Sequence, residues 1–343
     1  MGLYLVPELI QKGYQVDVVA LDTPENNCEN LCYIKADAHD IIFLKKLLTR
    51  KYDAIIDFLY HNSKEYETNY SLFLENTEQY IYLSSYRVYA GDTKPLNEYS
   101  KRLTDIPEIV ADKTFMKTDD YALMKIRTED ILLNSKYRNY TILRPAITFS
   151  KNKFQLMSLE ADYVLRRAYQ HKAVVLPREA MEKECCMTWA GDVAKMLSRL
   201  FFNEKAIGEI FIVGTAEHHP WRYIADCYKQ AVGLKLVESS REEFFRIVSN
   251  NADEYNAAKW RLDLDRMYDR MVDNSKILAA TGLKQSDFTP VWDALTMELH
   301  DLTERVQKEG FSPSSLAARW PAFSTKSDLK MDDYILKAGQ TML

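Results

Sequence analysis

Hydrophobic positions recur with two different periods over the first 145 residues. Apolar residues from Leu3 to Ile10 repeat at helical spacing, and the pattern stops at Gly13, a residue type that commonly ends helices. Four short apolar runs typical of strands alternate with further helical patterns: strands at 16–21, 54–60, 80–83 and 140–144, and helices at 41–48, 66–74 and 120–135. Strands alternating with helices predict an α/β fold, a doubly wound parallel sheet covered by helices on both faces.

The pattern loosens after Pro145. It predicts a helix at 155–170, a strand at 173–176, a helix at 192–202, a strand at 209–213 and mainly helices from 216 to about 310. The segment from Phe311 onward contains Pro313, Pro321 and many serines, so we expect an extended tail. The charged stretch 97–120 is predicted to be a solvated loop or a lid, of which the solvated loop is favoured.

Composition excludes several classes of protein. The 343 residues are 47% hydrophobic and carry a formal charge of −5, so neither nucleic acid nor an anionic membrane is an expected partner. No apolar run approaches the roughly 20 residues that span a bilayer, and no secretory leader is recognisable, so we expect a cytoplasmic protein. The five cysteines lack zinc-site spacing. We therefore predict reduced structural thiols and no metal site.

The strongest chemical signal is Tyr121-Ala-Leu-Met-Lys125, because a spacing of four places both side chains on one helical face. An ammonium group near a phenol favours the phenolate and lowers the tyrosine pKa. Upstream, a strand runs into Ser84 and Ser85, and the carboxyl end of a parallel strand is where open α/β sheets bind ligands. The alternatives are a packed tyrosine beside a solvated lysine, and serines that satisfy their own turn.

Several motifs in order along the chain resemble the extended short-chain dehydrogenase/reductase superfamily, and within it the NAD-dependent epimerase/dehydratase branch that acts on nucleotide sugars. The resemblance spans about residues 2–300 and implies a Rossmann-like fold. It rests on these segments: Gly2–Leu9, Ala36–Asp40, Ser84–Tyr89, Tyr121–Lys125 followed by Glu129, Leu143–Pro145, Trp189–Ala194, Ile210–Gly214 and Asp273–Leu283.

The resemblance implies roles for individual residues. Ser85 would orient and polarise the substrate oxygen, Tyr121 would transfer the proton, and Lys125 would bind the nicotinamide ribose and lower the pKa of Tyr121. Tyr86 and Arg87 would lie beside the substrate. The cofactor would be NAD, and the residues expected to contact it are Gly2, Asp22, Asp37, Ala38, Phe58, Leu59, Lys125 and Pro145.

Some of these cofactor assignments have alternatives in the residues themselves. Asp22 could accept hydrogen bonds from ribose hydroxyls or form a turn before Thr23-Pro24. No arginine lies between Asp22 and Arg50 to receive a 2′-phosphate, which favours NAD over NADP. Asp37 could face adenine or cap the following helix. The stretch Trp260–Arg266 could supply an arginine that grips phosphate or form a salt-bridged helix face.

The sequence also departs from the family pattern. The family begins with a buried strand and a Gly-x-x-Gly-x-x-Gly turn, whereas this sequence begins at the position of the third glycine. We therefore expect weak NAD binding, or none, unless another element replaces that strand. Tyr86 and Arg87 stand where sugar-nucleotide dehydratases have Asp-Glu, and Ala146 stands where many members have a substrate-binding Asn.

The resemblance divides the chain into a dinucleotide-binding domain (1–149 and 189–215), a smaller discontinuous substrate domain (150–188 and 216–310) and a tail (311–343). It implies an NAD-dependent epimerase or related oxidoreductase that acts on a nucleotide sugar or similar polyol through a transient keto intermediate, and a homodimer formed through the helices at Tyr66 and Tyr121. Two alternatives remain: a catalytically silent nucleotide- or RNA-binding relative, and an NAD(P)H-dependent reductase of a small carbonyl compound.

Overall fold

The first half of the chain alternates strands and helices. The structure is a computed structural model, and it describes residues 1–22, 27–91, 94–309 and 325–341. The helices of this half are α1 (Gly2–Gln11), α2 (Ile41–Leu48), α3 (Ser63–Leu74), α4 (Pro107–Ala111), α5 (Lys113–Met116) and α6 (Tyr121–Leu133). The strands are β1 (Val16–Ala20), β2 (Leu31–Lys35), β3 (Tyr52–Asp57), β4 (Thr77–Leu83) and β5 (Tyr140–Pro145).

The second half contains shorter strands and more helices. Its strands are β6 (Ile147–Phe149), β7 (Gln155–Leu156), β8 (Leu159–Glu160), β9 (Ala173–Pro177), β10 (Glu184–Cys185), β11 (Met187–Trp189), β12 (Ile210–Val213), β13 (His219–Pro220) and β14 (Lys235–Ser239). Its helices are α7 (Ala161–Tyr169), α8 (Ala190–Leu197), α9 (Trp221–Val232), α10 (Arg241–Val248), α11 (Ala252–Arg261), α12 (Ser275–Thr281), α13 (Val291–Glu309) and α14 (Thr325–Thr341).

Side-chain caps explain where the helices of the first half begin. Asp40 accepts a hydrogen bond from the backbone N–H of Ile42 at 2.9 Å and so starts α2. Asn62 accepts from Glu65 N–H at 2.9 Å at the start of α3. Asp120 starts α6 in the same way. Because each cap satisfies an otherwise unpaired helical N–H, these polar residues fix the first residue of each helix.

The central sheet has four parallel strands in the order β12-β5-β4-β3. Along β4, Tyr80 and Tyr82 face a core formed with α2, α3 and α6. Ile81 and Leu83 face the opposite core, formed with α1, α8 and α12. A parallel sheet buried on both faces is the doubly wound α/β architecture predicted from the sequence, and that prediction is confirmed.

A second sheet of two parallel strands, β1 and β2, lies apart from the central one. Within the described ranges, β1 pairs only with β2 and β3 pairs only with β4, so each keeps one edge without a strand partner. Side chains link the two sheets instead: the carboxylate of Asp17 on β1 accepts hydrogen bonds from the Tyr52 hydroxyl at 2.7 Å and from Arg50 at 3.0 Å.

The second half of the chain forms further strand pairs. Strands β9 and β14 form a parallel pair, and β6 and β11 form another. The proposed division into domains stays a prediction. Among the described helices, none is long and apolar enough to cross a membrane.

Three predicted segments differ from the structure. Residues 155–160 form a hairpin of β7 and β8, and the helix starts only at Ala161. The stretch 97–120 is not a solvated loop, because it contains α4 and α5 and buries Leu103 and Phe115 in the core. The tail, expected to be extended, contains the helix α14, while 310–324 lies outside the described residues. These predictions were wrong because the contacts that bury apolar residues in these segments join positions far apart in sequence, which a local hydrophobic pattern does not reveal.

The split sheet predicts uneven protection of backbone amides. Those on the unpaired edges of β1 and β3 should exchange with deuterium at least ten times faster than amides of β4, which is paired on both sides. Hydrogen–deuterium exchange followed by mass spectrometry measures this difference. Equal protection of β1, β3 and β4 would contradict the split.

Candidate functional site

Ser85 and Tyr121 meet at the carboxyl end of β4. Ser85 is the second residue after the strand and begins a short 3₁₀ turn, Tyr86–Val88, where its hydroxyl accepts a hydrogen bond from Arg87 N–H at 3.2 Å. Tyr121 is the first residue of α6, which lies against the same strand. The Ser85 hydroxyl is close enough to the phenol to affect its ionisation. The structure therefore brings together the two residues that the sequence predicted to act on one substrate oxygen.

Lys125 lies one turn further along α6 and is 4% exposed. Its ammonium donates hydrogen bonds to the Leu83 carbonyl at 2.6 Å and to the Tyr82 hydroxyl at 3.2 Å, and lies 5.8 Å from the centre of the Tyr121 ring. Burial lowers the pKa of Lys125 to about 8, although the carboxylates of Asp57 and Glu129 act in the opposite direction.

Burial raises the pKa of Tyr121, and Arg87 and Ser85 oppose this rise. The guanidinium of Arg87 lies 5.4 Å from the centre of the phenol ring. Lys125 and Arg87 thus lie at similar distances from the phenol ring, and the Lys125 ammonium is also hydrogen-bonded to the end of β4. The phenol is protonated at neutral pH and is equipped to donate a proton.

Buried polar contacts fix α6 on the sheet. The Arg144 guanidinium of β5 donates two hydrogen bonds to the Glu129 carboxylate, at 2.9 and 2.7 Å. Thr128 and Tyr82 share a hydrogen bond of 2.7 Å between their hydroxyls. Because a bidentate ion pair is directional, these contacts set the position of the helix that carries Tyr121 and Lys125. Glu129 and Arg144 belong to the motifs that carried the family resemblance.

A group of charged side chains lies next to Tyr121, and we call it the arginine cluster: Arg87, Arg261, Arg266, Arg270, Asp265 and Glu160. Asp265 is fully buried and lies 3.0 Å from Arg270 and 3.3 Å from Arg87. Burial alone would raise the pKa of Asp265, but the arginines around it lower that pKa. Burial, together with Arg266 and Arg87, also lowers the pKa of Arg261 in spite of its contact with Glu160. The cluster therefore has more positive than negative charge.

The sequence analysis identified only part of this cluster. Arg261 and Arg266 lie in the stretch Trp260–Arg266, whose two interpretations were a phosphate-binding arginine and a salt-bridged helix face. The stretch ends α11 and continues as one π-helical turn, Leu262–Arg266, which turns Asp265 and Arg266 into the protein. The sequence analysis did not connect Arg270 or Glu160 with this cluster, because both lie outside the stretch Trp260–Arg266.

Tyr86, predicted to lie beside the substrate, is buried within the core. The Arg270 guanidinium lies 5.3 Å from the centre of the Tyr86 ring, and the Tyr86 hydroxyl has no hydrogen-bond partner among the described residues. Arg87 remains 13% exposed in its side chain. Arg87, the other predicted substrate neighbour, has its guanidinium against the Tyr121 ring.

The residues predicted to contact a cofactor lie at the carboxyl ends of β1, β2, β3 and β5. Asp22 follows β1 and is exposed, while Phe58 and Leu59 follow β3. Phe58 is 42% exposed, which is unusual for so large an apolar side chain. Pro145 is buried at the end of β5. Phe58, Leu59 and Pro145 share the edge of the central sheet on which Ser85 lies, whereas Asp22 follows a strand of the β1–β2 sheet.

The remaining predicted cofactor residues lie near helix starts. Gly2 opens α1, and a side chain there would meet no atom within 4 Å. Asp37 is exposed and accepts a hydrogen bond from His39 N–H at 2.9 Å, so it forms a turn, while Asp40 caps α2. Ala38 packs against the core beneath α2 and α3. Their roles towards a cofactor stay predictions.

Comparisons with known proteins identify the fold. No protein-family model matches this chain, and no curated protein sequence matches it. Among solved structures, UDP-glucose 4-epimerase from Thermotoga maritima, determined with UDP-glucose, is 16% identical, with a TM-score of 0.61 over 89% of this chain and 96% of that one. A short-chain dehydrogenase/reductase superfamily protein from Agrobacterium tumefaciens with bound NAD is 14% identical, with a TM-score of 0.62 over 90% and 95%.

An epimerase from Methanothermobacter thermautotrophicus is 15% identical, with a TM-score of 0.62 over 89% of this chain and 90% of that one. At such identities the likeness concerns the backbone arrangement. The chain has the fold of short-chain dehydrogenase/reductase epimerases, as its motifs predicted.

The burial of Lys125 makes a prediction about stability and pH. Since its pKa falls from 10.5 to about 8 on folding, the unfolded chain binds more protons between these values, and stability rises with pH across that window. Lys125→Met should therefore raise the free energy of unfolding at pH 7 by about 2 kcal/mol, after allowance for its lost hydrogen bonds.

The gain should be full below pH 8 and should vanish towards pH 10.5. Denaturant titrations at several pH values measure it, with the exposed Lys45→Met as a control that changes little. A Lys125→Met variant that is less stable than the wild type at pH 7 would contradict this account.

Proposed function

We propose that the protein is an NAD-dependent oxidoreductase of the epimerase type that acts on a nucleotide sugar. One observation carries the proposal: Ser85, Tyr121 and Lys125 lie together at the carboxyl end of β4, beside a cluster with excess positive charge. The likeness of the fold to nucleotide-sugar epimerases supports the same class.

Each side chain of the site has a separate role towards the substrate. The Ser85 hydroxyl donates a hydrogen bond to the reacting sugar oxygen and holds it against the phenol. Tyr121 gives its proton to that oxygen when a carbonyl is reduced and takes a proton from the hydroxyl when it is oxidised. Arg87 stabilises the phenolate that the second direction requires. When bound, NAD supplies a reversible hydride acceptor next to this group.

The arginine cluster determines the class of substrate. Its four guanidinium groups lie near three carboxylates, those of Asp265, Glu160 and Asp120, the last of which is 3.9 Å from Arg87. Guanidinium groups bind phosphate oxygens through paired hydrogen bonds, and a diphosphate would relieve the repulsion from Arg266 and Arg87 that adds to burial in lowering the pKa of Arg261. A nucleoside diphosphate sugar has such a group at a fixed distance from its sugar ring, so the cluster would hold the ring near Tyr121.

The described residues fit NAD at two places. Leu21, Phe58 and Tyr60 are 65%, 42% and 56% exposed near the carboxyl ends of β1 and β3, and such apolar side chains suit flat heterocycles. Gly2 opens α1, where an added side chain would meet no atom within 4 Å, and helix N-termini favour phosphate groups.

The split between the β1–β2 sheet and the central sheet favours a second candidate, because it divides the predicted cofactor contacts between two sheets. In this alternative the protein binds a nucleotide sugar through the arginine cluster but transfers no hydride. The two candidates differ in turnover and not in substrate binding, so one set of variants separates them.

The enzyme interpretation predicts that Tyr121→Phe lowers kcat for a UDP-sugar with added NAD by about 100-fold or more, because the phenolic proton is lost and the ring is kept. Substrate affinity should change little. The exposed Tyr99→Phe is the matched control. Steady-state kinetics with separation of the product sugars measures both parameters. Unchanged turnover in Tyr121→Phe would remove its assigned role, and turnover absent in the wild type would favour the binding protein.

The substrate class predicts that Arg261→Gln weakens binding of a UDP-sugar about tenfold, because one phosphate-binding guanidinium is lost. The exposed Arg199→Gln should leave binding unchanged. Isothermal titration calorimetry at 50 and 300 mM salt should give a smaller salt dependence in Arg261→Gln than in the wild type. Equal affinities in the two variants would argue against a diphosphate at the cluster.

A further inference from the structure

Three side chains capable of binding metal converge away from Tyr121. A ligating atom from each of His39, His61 and Glu65 lies within 4.8 Å of the other two. The Glu65 carboxylate lies 2.5 Å from Nδ1 of His39 and 3.7 Å from Nδ1 of His61. His39 precedes α2, His61 follows β3, and Glu65 lies in the first turn of α3. The three ligands therefore come from both sides of the split sheet.

The imidazole of His61 is held in a definite orientation. It is 2% exposed, and its Nε2 lies 2.8 Å from the Asp57 carboxylate. Asp57 also accepts hydrogen bonds from the Tyr80 hydroxyl at 2.7 Å and from Leu59 N–H at 2.8 Å. With Nε2 donating to Asp57, the lone pair of His61 is on Nδ1, the atom that faces Glu65.

This Nδ1 has no hydrogen-bond partner among the described residues. A buried polar atom without a partner is costly in free energy, and here it points at a carboxylate and a second imidazole. The ion pair between His39 and Glu65 satisfies those two side chains. It leaves Nδ1 of His61 without a hydrogen-bond partner among the described residues. A cation between the three groups satisfies all of them.

We propose that His39, His61 and Glu65 bind a divalent transition-metal ion, for which Zn²⁺ has the best match of ligands. Zinc favours imidazole nitrogen and carboxylate oxygen at about 2.0–2.2 Å in a tetrahedral arrangement. A carboxylate that orients a ligating histidine, as Asp57 does, is a regular feature of such sites. Asn62 fixes the other carboxylate oxygen of Glu65 with a hydrogen bond of 3.4 Å.

The placement gives the ion a structural consequence. His39 belongs to the connection between β2 and α2, whereas His61 and Glu65 belong to the connection between β3 and α3. A bound metal would tie the β1–β2 sheet to the central sheet, at a place where the two share no backbone hydrogen bonds. The side chain of His39 is 39% exposed, so the ion can enter from solvent.

The proposal is tested on the full-length, untagged protein after treatment with a chelator. Titration with Co²⁺ should give one equivalent of tightly bound ion with the visible absorption of a low-symmetry, four-coordinate site, and Zn²⁺ should displace it. His39→Gln and Glu65→Gln change ligands that are partly exposed and should weaken binding at least tenfold without unfolding the protein. The control is His300→Gln. His300 and Glu304 form an exposed pair with the same four-residue spacing as His61 and Glu65.

Thermal denaturation provides a second measurement. Zn²⁺ should raise the Tm of the wild type and of His300→Gln, and should leave that of His39→Gln and Glu65→Gln unchanged. Two results would overturn the proposal: a wild type that binds no equivalent of Co²⁺, or binding that is equally strong in His39→Gln and Glu65→Gln. Neither measurement depends on NAD or on turnover.

Discussion

The position of α6 on the central sheet is the constraint on which the rest of the site depends. Lys125, Thr128 and Glu129 lie along one face of this helix and reach Leu83, Tyr82 and Arg144 of the strands beneath. These contacts are buried, so each polar group is satisfied only while the helix keeps its register. Because Tyr121 begins the same helix, that register sets its distance from Ser85.

Electrostatics at this site work against stability and towards ligand binding. Burial disfavours the charged form of the Lys125 ammonium and lowers its pKa to about 8, whereas burial raises the pKa of the Tyr121 phenol and keeps that group neutral. The arginine cluster adds positive charge that Asp265 and Glu160 compensate only in part. Proteins commonly keep such unfavourable arrangements where they serve a ligand, which is why we assign the cluster to an anionic substrate.

The split of the sheet separates two parts of the candidate site. Ser85, Tyr121 and Lys125 depend on β4, β5 and α6, all on the four-stranded side. The predicted adenine contacts, Asp37 and Ala38, follow β2 on the other side. Among the described residues, side-chain contacts such as those of Asp17 and the packing of α2 on α3 join the two. The proposed metal site lies at this junction, so metal binding and the geometry of the cofactor site would be linked.

The sequence by itself determined the alternation of strands and helices, the doubly wound sheet and the pairing of Ser85 with Tyr121. These follow from periodicity and from motifs of five or six residues, which are local. The sequence analysis predicted no metal site because the cysteines lack zinc-site spacing, and His39 and Glu65, which the structure brings together, are 26 residues apart. It also did not connect Glu160 with the stretch Trp260–Arg266. In each case the tertiary structure decided, because electrostatic interactions and ligand geometry depend on distances through space between segments far apart in the chain.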